Sequence, residues 1–440
     1  PVAYDYIMGN PPFVGARWMD KRQKEDVMLT FGKDWQGVGD LDYVCSWYKK
    51  ALDVIKGKNT RCAFVSTNSI TQGSAVANLW KGLFSEGLQI DFAWRTFRWE
   101  NETADKENMA TVHCVIVGFS CNCHSERREE SQKFIFDENG NKIIAKNING
   151  YLLDMPNIFV ESRSKPICCE VPIMIKGSMP ADDGNLIITA SEYDDFIKKE
   201  PNAKKFVKEF LGADEFLYNK KRYCLWLVNA SPAELRKLPL VMKRVEAVKS
   251  ARLASKRAAT RNLAAYPYLF AENRQPETAY IAIPEVSSEK RTYVPMGFMT
   301  AETICSNKLQ LIPNATLYDF GILMSRVHNA WMRIVCGRLE TRYDYSGKIV
   351  YNNFPWPTPS DAQKARIEQT AQAILDAREN HPDSTLADLY DENAMPADLR
   401  RAHRENDRAV MSAYGFKQGM GESDIVAELF KMYENLTKSQ

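Results

Sequence analysis

The stretch Asp5-Tyr6-Ile7-Met8-Gly9-Asn10-Pro11-Pro12-Phe13 decides how the beginning of the chain folds. It starts as a short apolar run of strand character and stops at two prolines. Each proline fixes φ near about −65° and lacks an N–H, so neither continues a ladder. Working outward, residues 40–56 place Leu41, Val44, Tyr48, Leu52 and Ile55 near helical spacing. Cys62-Ala63-Phe64-Val65-Ser66 is a nearly continuous apolar strand, as in a sheet covered on both faces. A helix over about 75–86 leads to strands at Ile90–Trp94 and His113–Phe119. This βαβαββ order predicts the second half of a doubly wound α/β sheet. Asn10 then stands at the C-terminal end of a strand, where such sheets bind ligands.

Bulk properties exclude several classes. A chain of 440 residues normally forms roughly two to four domains, and 45% hydrophobic with 26% charged residues is a globular composition. With a net charge of only +2, nucleic-acid binding has to rest on local clusters of Lys and Arg. No apolar run approaches the roughly 18 residues of a membrane helix. Cys45, Cys62, Cys114, Cys224, Cys305 and Cys336 sit singly among apolar neighbours and read as buried free thiols. Cys121-Asn122-Cys123-His124 and Cys168-Cys169 lack the spacing of a zinc site. The plain reading is a reduced, cytoplasmic protein without a bound metal.

An Asn before two prolines and an aromatic suits one particular chemistry. The exocyclic amine of adenine is a poor nucleophile because its lone pair is delocalised into the ring. Two acceptors, an Asn side-chain oxygen and a backbone carbonyl, can take its two N–H groups and draw the nitrogen towards tetrahedral geometry. The prolines hold the turn rigid, and the aromatic offers a face for a base flipped out of a duplex. Asn10, Pro11, Pro12 and Phe13 meet that specification.

From about residue 156 to 350 the pattern is irregular. Between Pro239 and Pro267 lie Lys243, Arg244, Lys249, Arg252, Lys256, Arg257 and Arg261 against a single acid, Glu246. Lys249, Arg252 and Lys256 fall on one helical face and read as phosphate contacts, the alternative being a solvated helix surface. Glu289 and Arg291 occupy alternate positions of an expected extended segment. Both could face one groove and read bases, or form a surface ion pair. Arg338, Arg342 and Lys348 are further phosphate candidates. His328, in an apolar helix expected over Tyr318–Val335, reads as a core histidine. After Asn352-Asn353-Phe354-Pro355-Trp356-Pro357 the chain turns helical, with helices expected at 360–380, Pro396–Tyr414 and Ser423–Leu436.

Asp5–Phe13 resembles motif IV of amino-methyltransferases that use S-adenosylmethionine. Ser287–Pro295, Cys305–Lys308, Tyr318–Leu323, Arg338–Tyr345 and Tyr351–Pro357 follow in the order seen in MmeI-like (type IIL) restriction–modification enzymes. The resemblance covers essentially the whole chain, and its Asn352–Pro357 run is the more specific part. It implies the C-terminal half of a Rossmann-like class I methyltransferase sheet over residues 1–155. A mixed α/β target-recognition domain follows over 156–350, then a helical C-terminal segment over 351–440. It also implies methylation of adenine N6 in duplex DNA, with Asn10 and the Pro11 carbonyl holding the amine and Phe13 stacking on the base. Trp99, or else Phe97, would complete the grip from the loop between the last two strands, core packing being the alternative for either.

Two features of that family are not found in the sequence. The glycine-rich loop that cradles S-adenosylmethionine, and the acid that binds its ribose, should precede Asn10. Gly37-Val38-Gly39 does not replace them, since no strand comes before it. The nuclease cluster cannot be placed either. The expectation is a piece that neither cuts nor methylates alone and relies on an upstream part of the same polypeptide. A DNA-binding specificity module without catalysis, and methylation of RNA or protein, are the competing readings.

Overall fold

Five side chains organise the first sheet: Leu41, Val44, Tyr48, Leu52 and Ile55 are all completely buried. The computed structural model describes residues 4–100, 111–121 and 132–438. The chain divides into two compact units, each assembled from separated stretches. The first takes the chain up to Ile167 together with Trp331–Pro355 and the residues from Val426 onward. The second takes Cys168–Ala330 and Trp356–Ile425.

The first unit holds a six-stranded sheet. Its strands are β1 (Tyr6–Gly9), β2 (Arg61–Thr67), β3 (Leu88–Glu100), β4 (Thr111–Cys121), β5 (Lys133–Phe136) and β6 (Lys142–Ala145), in the spatial order β1-β2-β4-β3-β5-β6. β1 and β2 pair in parallel, and β4 lies antiparallel between β2 and β3. The β5–β6 hairpin extends the sheet beyond what the apolar pattern foretold, and Gly140, at φ +81°, makes its turn.

Helix α1 (Lys21–Phe31) opens with a capping box between Asp20 and Gln23, and α2 (Cys45–Ile55) carries the apolar stripe. Tyr48 is the centre of an aromatic cluster on the sheet: its ring lies 5.4 Å from Phe64, 5.4 Å from Trp80 and 5.3 Å from Phe119. Its hydroxyl meets the buried Ser66 hydroxyl at 2.8 Å. Only one face of β2 is fully covered: Cys62, Phe64 and Ser66 are buried, and Ala63 and Val65 are half-buried. A continuous apolar run thus hides a sheet whose two faces are covered unequally. β1 is an edge strand whose Tyr6 and Met8 are 69% and 79% exposed.

The second unit contains two four-stranded sheets. One aligns Ile304–Cys305, Val207–Leu211, Arg222–Leu225 and Ile187–Thr189, and the other Gly297–Met299, Tyr280–Pro284, Leu309–Pro313 and Ile175–Lys176. Helix Pro239–Leu253 closes the first core with Val241, Val245 and Val248. Helices Asp361–Glu379 and Ala397–Ala413 pack together, as their apolar spacing predicts. Gly321 is required where a further helix meets this pair, because a Cβ there would stand 2.6 Å from Ile367. Asn406 donates to the Gly321 carbonyl at 2.8 Å and accepts from Thr370 at 3.0 Å.

The single helix expected over Tyr318–Val335 is two, Leu317–Leu323 and Arg326–Val335. Ser325 breaks it: its hydroxyl donates to the Ile322 carbonyl at 2.6 Å and accepts from the His328 N–H at 3.3 Å. His328 is completely buried, and burial pushes its pKa down to about 3. The six singly placed cysteines are buried free thiols, whereas Cys121, at the end of β4, is disulfide-bonded. Cys123 and His124 of that cluster lie outside the described residues. Among the described residues, no helix is long and apolar enough to cross a membrane, and no three His, Cys, Asp or Glu gather as a metal site.

Candidate active site and nucleic-acid interface

Because β1, β2 and β3 run in one direction, their C-terminal ends come out on one edge of the sheet. That edge brings together the Asn10–Phe13 turn, the 3-10 turn Asn68–Thr71 and the Phe97–Trp99 segment. Asn10 and Pro12 are exposed, Pro11 is buried and Phe13 is half-buried. Among the described residues no hydrogen bond occupies the Asn10 carboxamide. Its acceptor oxygen is open to an incoming group.

The loop after Phe13 is held by one carboxylate. Asp42 accepts from the Ala16 N–H at 2.8 Å through Oδ1 and from the Ser69 hydroxyl at 2.6 Å through Oδ2. Ser69 in turn meets Thr67 Oγ1 at 2.8 Å, and the Tyr43 N–H donates to the Val14 carbonyl at 2.9 Å. The start of α2 thus ties the Pro-Pro loop to the end of β2. Next to it, the turn Ala16–Trp18 carries Arg17 and Trp18 outward, Trp18 being 87% exposed.

Phe97 and Trp99 lie within β3, not in a loop beyond it, paired opposite Cys114 and Val112. They share a face of the strand, with ring centroids 6.3 Å apart. Phe97 is half-buried and Trp99 is 39% exposed, so Trp99 has the freer ring.

The basic helix departs most from the sequence reading. It ends at Leu253, so Lys256 lies beyond it, and Lys249 and Arg252 do not share an outer face. Arg252 points inward and is 1% exposed. Its Nε donates to Ala181 O (3.0 Å), Nη1 to Leu263 O and Tyr266 O (both 3.0 Å), and Nη2 to Pro180 O (2.9 Å) and Leu269 O (2.8 Å). All five donors of the guanidinium are spent on backbone carbonyls, leaving none for a phosphate. Arg252 is a structural tie, and Lys249 and Lys256 keep the exposed positions.

Glu289 and Arg291 are not on an extended segment. They sit in a turn closed by the Arg291 N–H on the Ser288 carbonyl at 3.3 Å, and Arg291 Nη1 reaches Ser287 Oγ at 3.3 Å. Arg338 and Arg342 belong to a hairpin, Gly337–Leu339 with Arg342–Asp344. Arg338 donates to Thr341 O at 2.9 Å and lies 4.6 Å from the centre of the Tyr343 ring, whereas Arg342 pairs with Glu340 at 2.9 Å. Lys348 is exposed.

Residues 3–137 match the model of the MmeI DNA-methyltransferase domain, 154–358 that of the MmeI target recognition domain, and 359–440 that of the MmeI C-terminal domain. The chain belongs to the MmeI family. It is 40% identical over 433 residues to DNA methyltransferase A of Bacillus subtilis (strain 168), covering 98% of this chain and 48% of the relative. It also matches the solved structure of the type IIL restriction–modification enzyme MmeI in complex with DNA, with a TM-score of 0.92 and 44% identity. That match covers 98% of this chain and 57% of the other. The chain therefore spans about half the length of these relatives.

In this MmeI-family chain the Asn352–Pro357 run has a structural use. Asn353 is completely buried, and its Nδ2 donates to Glu161 O (2.8 Å), Lys348 O (2.9 Å) and Ile349 O (3.1 Å). Asn352 Nδ2 donates to Arg163 O at 2.9 Å, and its own carbonyl accepts from the Ile167 N–H at 2.7 Å. Two carboxamides clamp residues 161–167 against the turn at Gly347–Tyr351.

Sequence reading passed over Asp42, Ser69, Arg95 and Arg333. Asp42 lies three residues before α2, a weak signal, and nothing local connects it to Ser69. Arg95 and Arg333 converge only through the fold.

Proposed function

We propose that this chain carries the base-holding half of an adenine-N6 DNA methyltransferase together with the parts that find its target in duplex DNA. The observation that carries this is the open Asn10 carboxamide on a turn fixed by Pro11 and Pro12, at the end of a parallel strand. In this reading Asn10 Oδ1 and the Pro11 carbonyl accept the two N–H groups of a flipped adenine. Holding both N–H groups draws the amine lone pair out of conjugation and aims it away from the ring. Phe13 and Trp99 stack on the base. Lys249, Lys256, Glu289, Arg291, Arg338 and Arg342 are the proposed DNA contacts outside that pocket, lysines and arginines on phosphates and the Glu289–Arg291 turn towards base edges.

S-adenosylmethionine would supply the methyl group, but the described residues do not fit it as a cradle. Gly37, in the left-handed region at φ +67°, precedes a short 3-10 turn, and its Cβ position is already filled by the Asn78 side chain at 2.3 Å. That glycine serves close packing. The exposed Tyr6 and Met8 on the edge of β1 support a further part of the same polypeptide as the partner that brings the cofactor site. An endonuclease in the intact protein, as the type IIL resemblance implies, belongs to the same proposal, as does a cytoplasmic location.

The test is transfer of labelled methyl from S-adenosylmethionine by the full-length protein to duplex DNA, single-stranded RNA and protein in parallel, with the product base identified. N6-methyladenine in duplex DNA is the expected product. Label in RNA or protein alone would overturn the reading.

A further inference from the structure

β3 is not regular. Between Trp94 and Phe97 it advances one residue more than its partner β4, a bulge that takes Arg95 and Thr96 out of the ladder. Bulges bend a strand and re-aim its side chains. Here they face a cavity of about 80 Å³ in the first unit, lined among others by Thr71, Gln72, Arg333 and Arg338. A single water needs only about 15 Å³ on this measure. The opposing walls are fastened together: the Gly73 N–H donates to the Cys336 carbonyl at 3.3 Å. A Cβ on Gly73, whose φ is +53°, would stand 3.3 Å from the Gly337 Cα.

Three guanidinium groups share this cavity. Arg338 spends part of its donors on Thr341 O, whereas Arg95 makes no hydrogen bond or ion pair among the described residues. Crowding by protein and the neighbouring charge of Arg338 lower the Arg95 pKa from its usual value, and Asp137 and Glu138 oppose that only in part. Arg95 thus sets a guanidinium with all its donors open beside that of Arg338, and an anion between them would offset their repulsion and take those donors. The Thr96 hydroxyl adds a donor suited to a tetrahedral oxyanion, whereas that of Thr71 is spent on the Asn68 carbonyl at 2.8 Å.

Position separates a DNA phosphate from a free anion. The cavity opens at the edge of the sheet that carries Asn10, and Arg95 precedes Trp99 on one strand by four residues, about 13 Å. That is a reach of a few nucleotides from the base. We propose that Arg95, Arg333 and Arg338 seat a backbone phosphate of the DNA strand next to the base presented to Asn10. This rests on the reading of the site as a DNA methyltransferase.

The experiment uses the full-length protein and duplexes bearing the site it methylates, mapped beforehand. Each duplex carries one neutral methylphosphonate linkage at a different position around the target adenine. With the wild type, one linkage beside the target should weaken binding about ten- to hundredfold, as expected for a lost charge-assisted contact. Arg95→Gln should bind the natural duplex correspondingly weaker, with a salt slope lower by about 1, and should be indifferent to that same linkage. Arg95→Lys should recover part of both. Equal sensitivity of Arg95→Gln and the wild type at every linkage overturns the assignment. A flat wild-type scan, with inorganic phosphate as the competing ligand, overturns it in favour of a free-anion site. Either result leaves the methyltransferase reading standing if the wild type still methylates the duplex. A wild type that neither binds nor methylates DNA removes both.

Discussion

Asp42 and Ser69 stand 27 residues apart in sequence, and their side chains meet at 2.6 Å, the Ser69 hydroxyl donating to the carboxylate. With its other oxygen Asp42 holds the Ala16 N–H, so one side chain fixes two loops at the edge where Asn10 emerges. Asp42→Ala should therefore slow methyl transfer by the full-length protein about tenfold or more, with a stability loss of about 1–2 kcal/mol. Asp42→Asn, which keeps an acceptor for Ala16, should fall between. Single-turnover methylation and urea unfolding check this, and unchanged methylation in Asp42→Ala would remove the positioning role.

Arg252 and Lys249 should separate cleanly. Arg252→Ala removes five donations to backbone carbonyls, those of Pro180, Leu263 and Tyr266 keeping a backbone N–H each, and should cost more than about 3 kcal/mol of stability. Lys249→Ala should change stability by less than about 0.5 kcal/mol and lower the salt slope of DNA binding. Denaturant midpoints of the two variants decide it, and similar values would mean Arg252 does not hold its three segments together.

Asn353→Ala removes an amide whose two hydrogens serve three backbone carbonyls and should cost about 2–3 kcal/mol. DNA affinity of the folded variant should equal that of the wild type. Loss of affinity at unchanged stability would return the Asn352–Pro357 run to the DNA interface.

Acid should weaken the second unit. Burial lowers the pKa of His328 to about 3, and burial, reinforced by Arg378, lowers that of His403 well below its usual value. Between the unfolded pKa near about 6.5 and these folded values, the unfolded chain binds the protons that the native state refuses. Stability is therefore full above about pH 6.5 and falls as pH drops, by about 2 kcal/mol per histidine between pH 7 and 5. A flat urea midpoint over that range would contradict the buried neutral histidines.

What the sequence made legible was local. The stripe Leu41–Ile55 and the Asn10–Phe13 turn are each written within a few residues, and the three C-terminal helices follow their apolar spacing. What it hid depends on where side chains point. Arg252 looks like its basic neighbours, and only the carbonyls of residues 180–181 and 263–269 reveal its use. The β5–β6 hairpin is too short for a periodic signal, and Trp99 fell inside its strand because β3 runs past the apolar core. The bulge at Arg95–Thr96, and its convergence with Arg333 and Arg338, exist only once distant segments are folded together.

Asn10 carries the central claim, and its removal tests that claim most directly. In the full-length protein, Asn10→Ala should lower methyl transfer from S-adenosylmethionine to adenine in duplex DNA by at least about a hundredfold, the usual effect of losing one preorganised polar group in an active site. DNA affinity should remain, because the side chain meets only the flipped base. Methylation at the wild-type rate, or its loss together with DNA binding, would contradict the assignment of Asn10 as the group that holds the target amine.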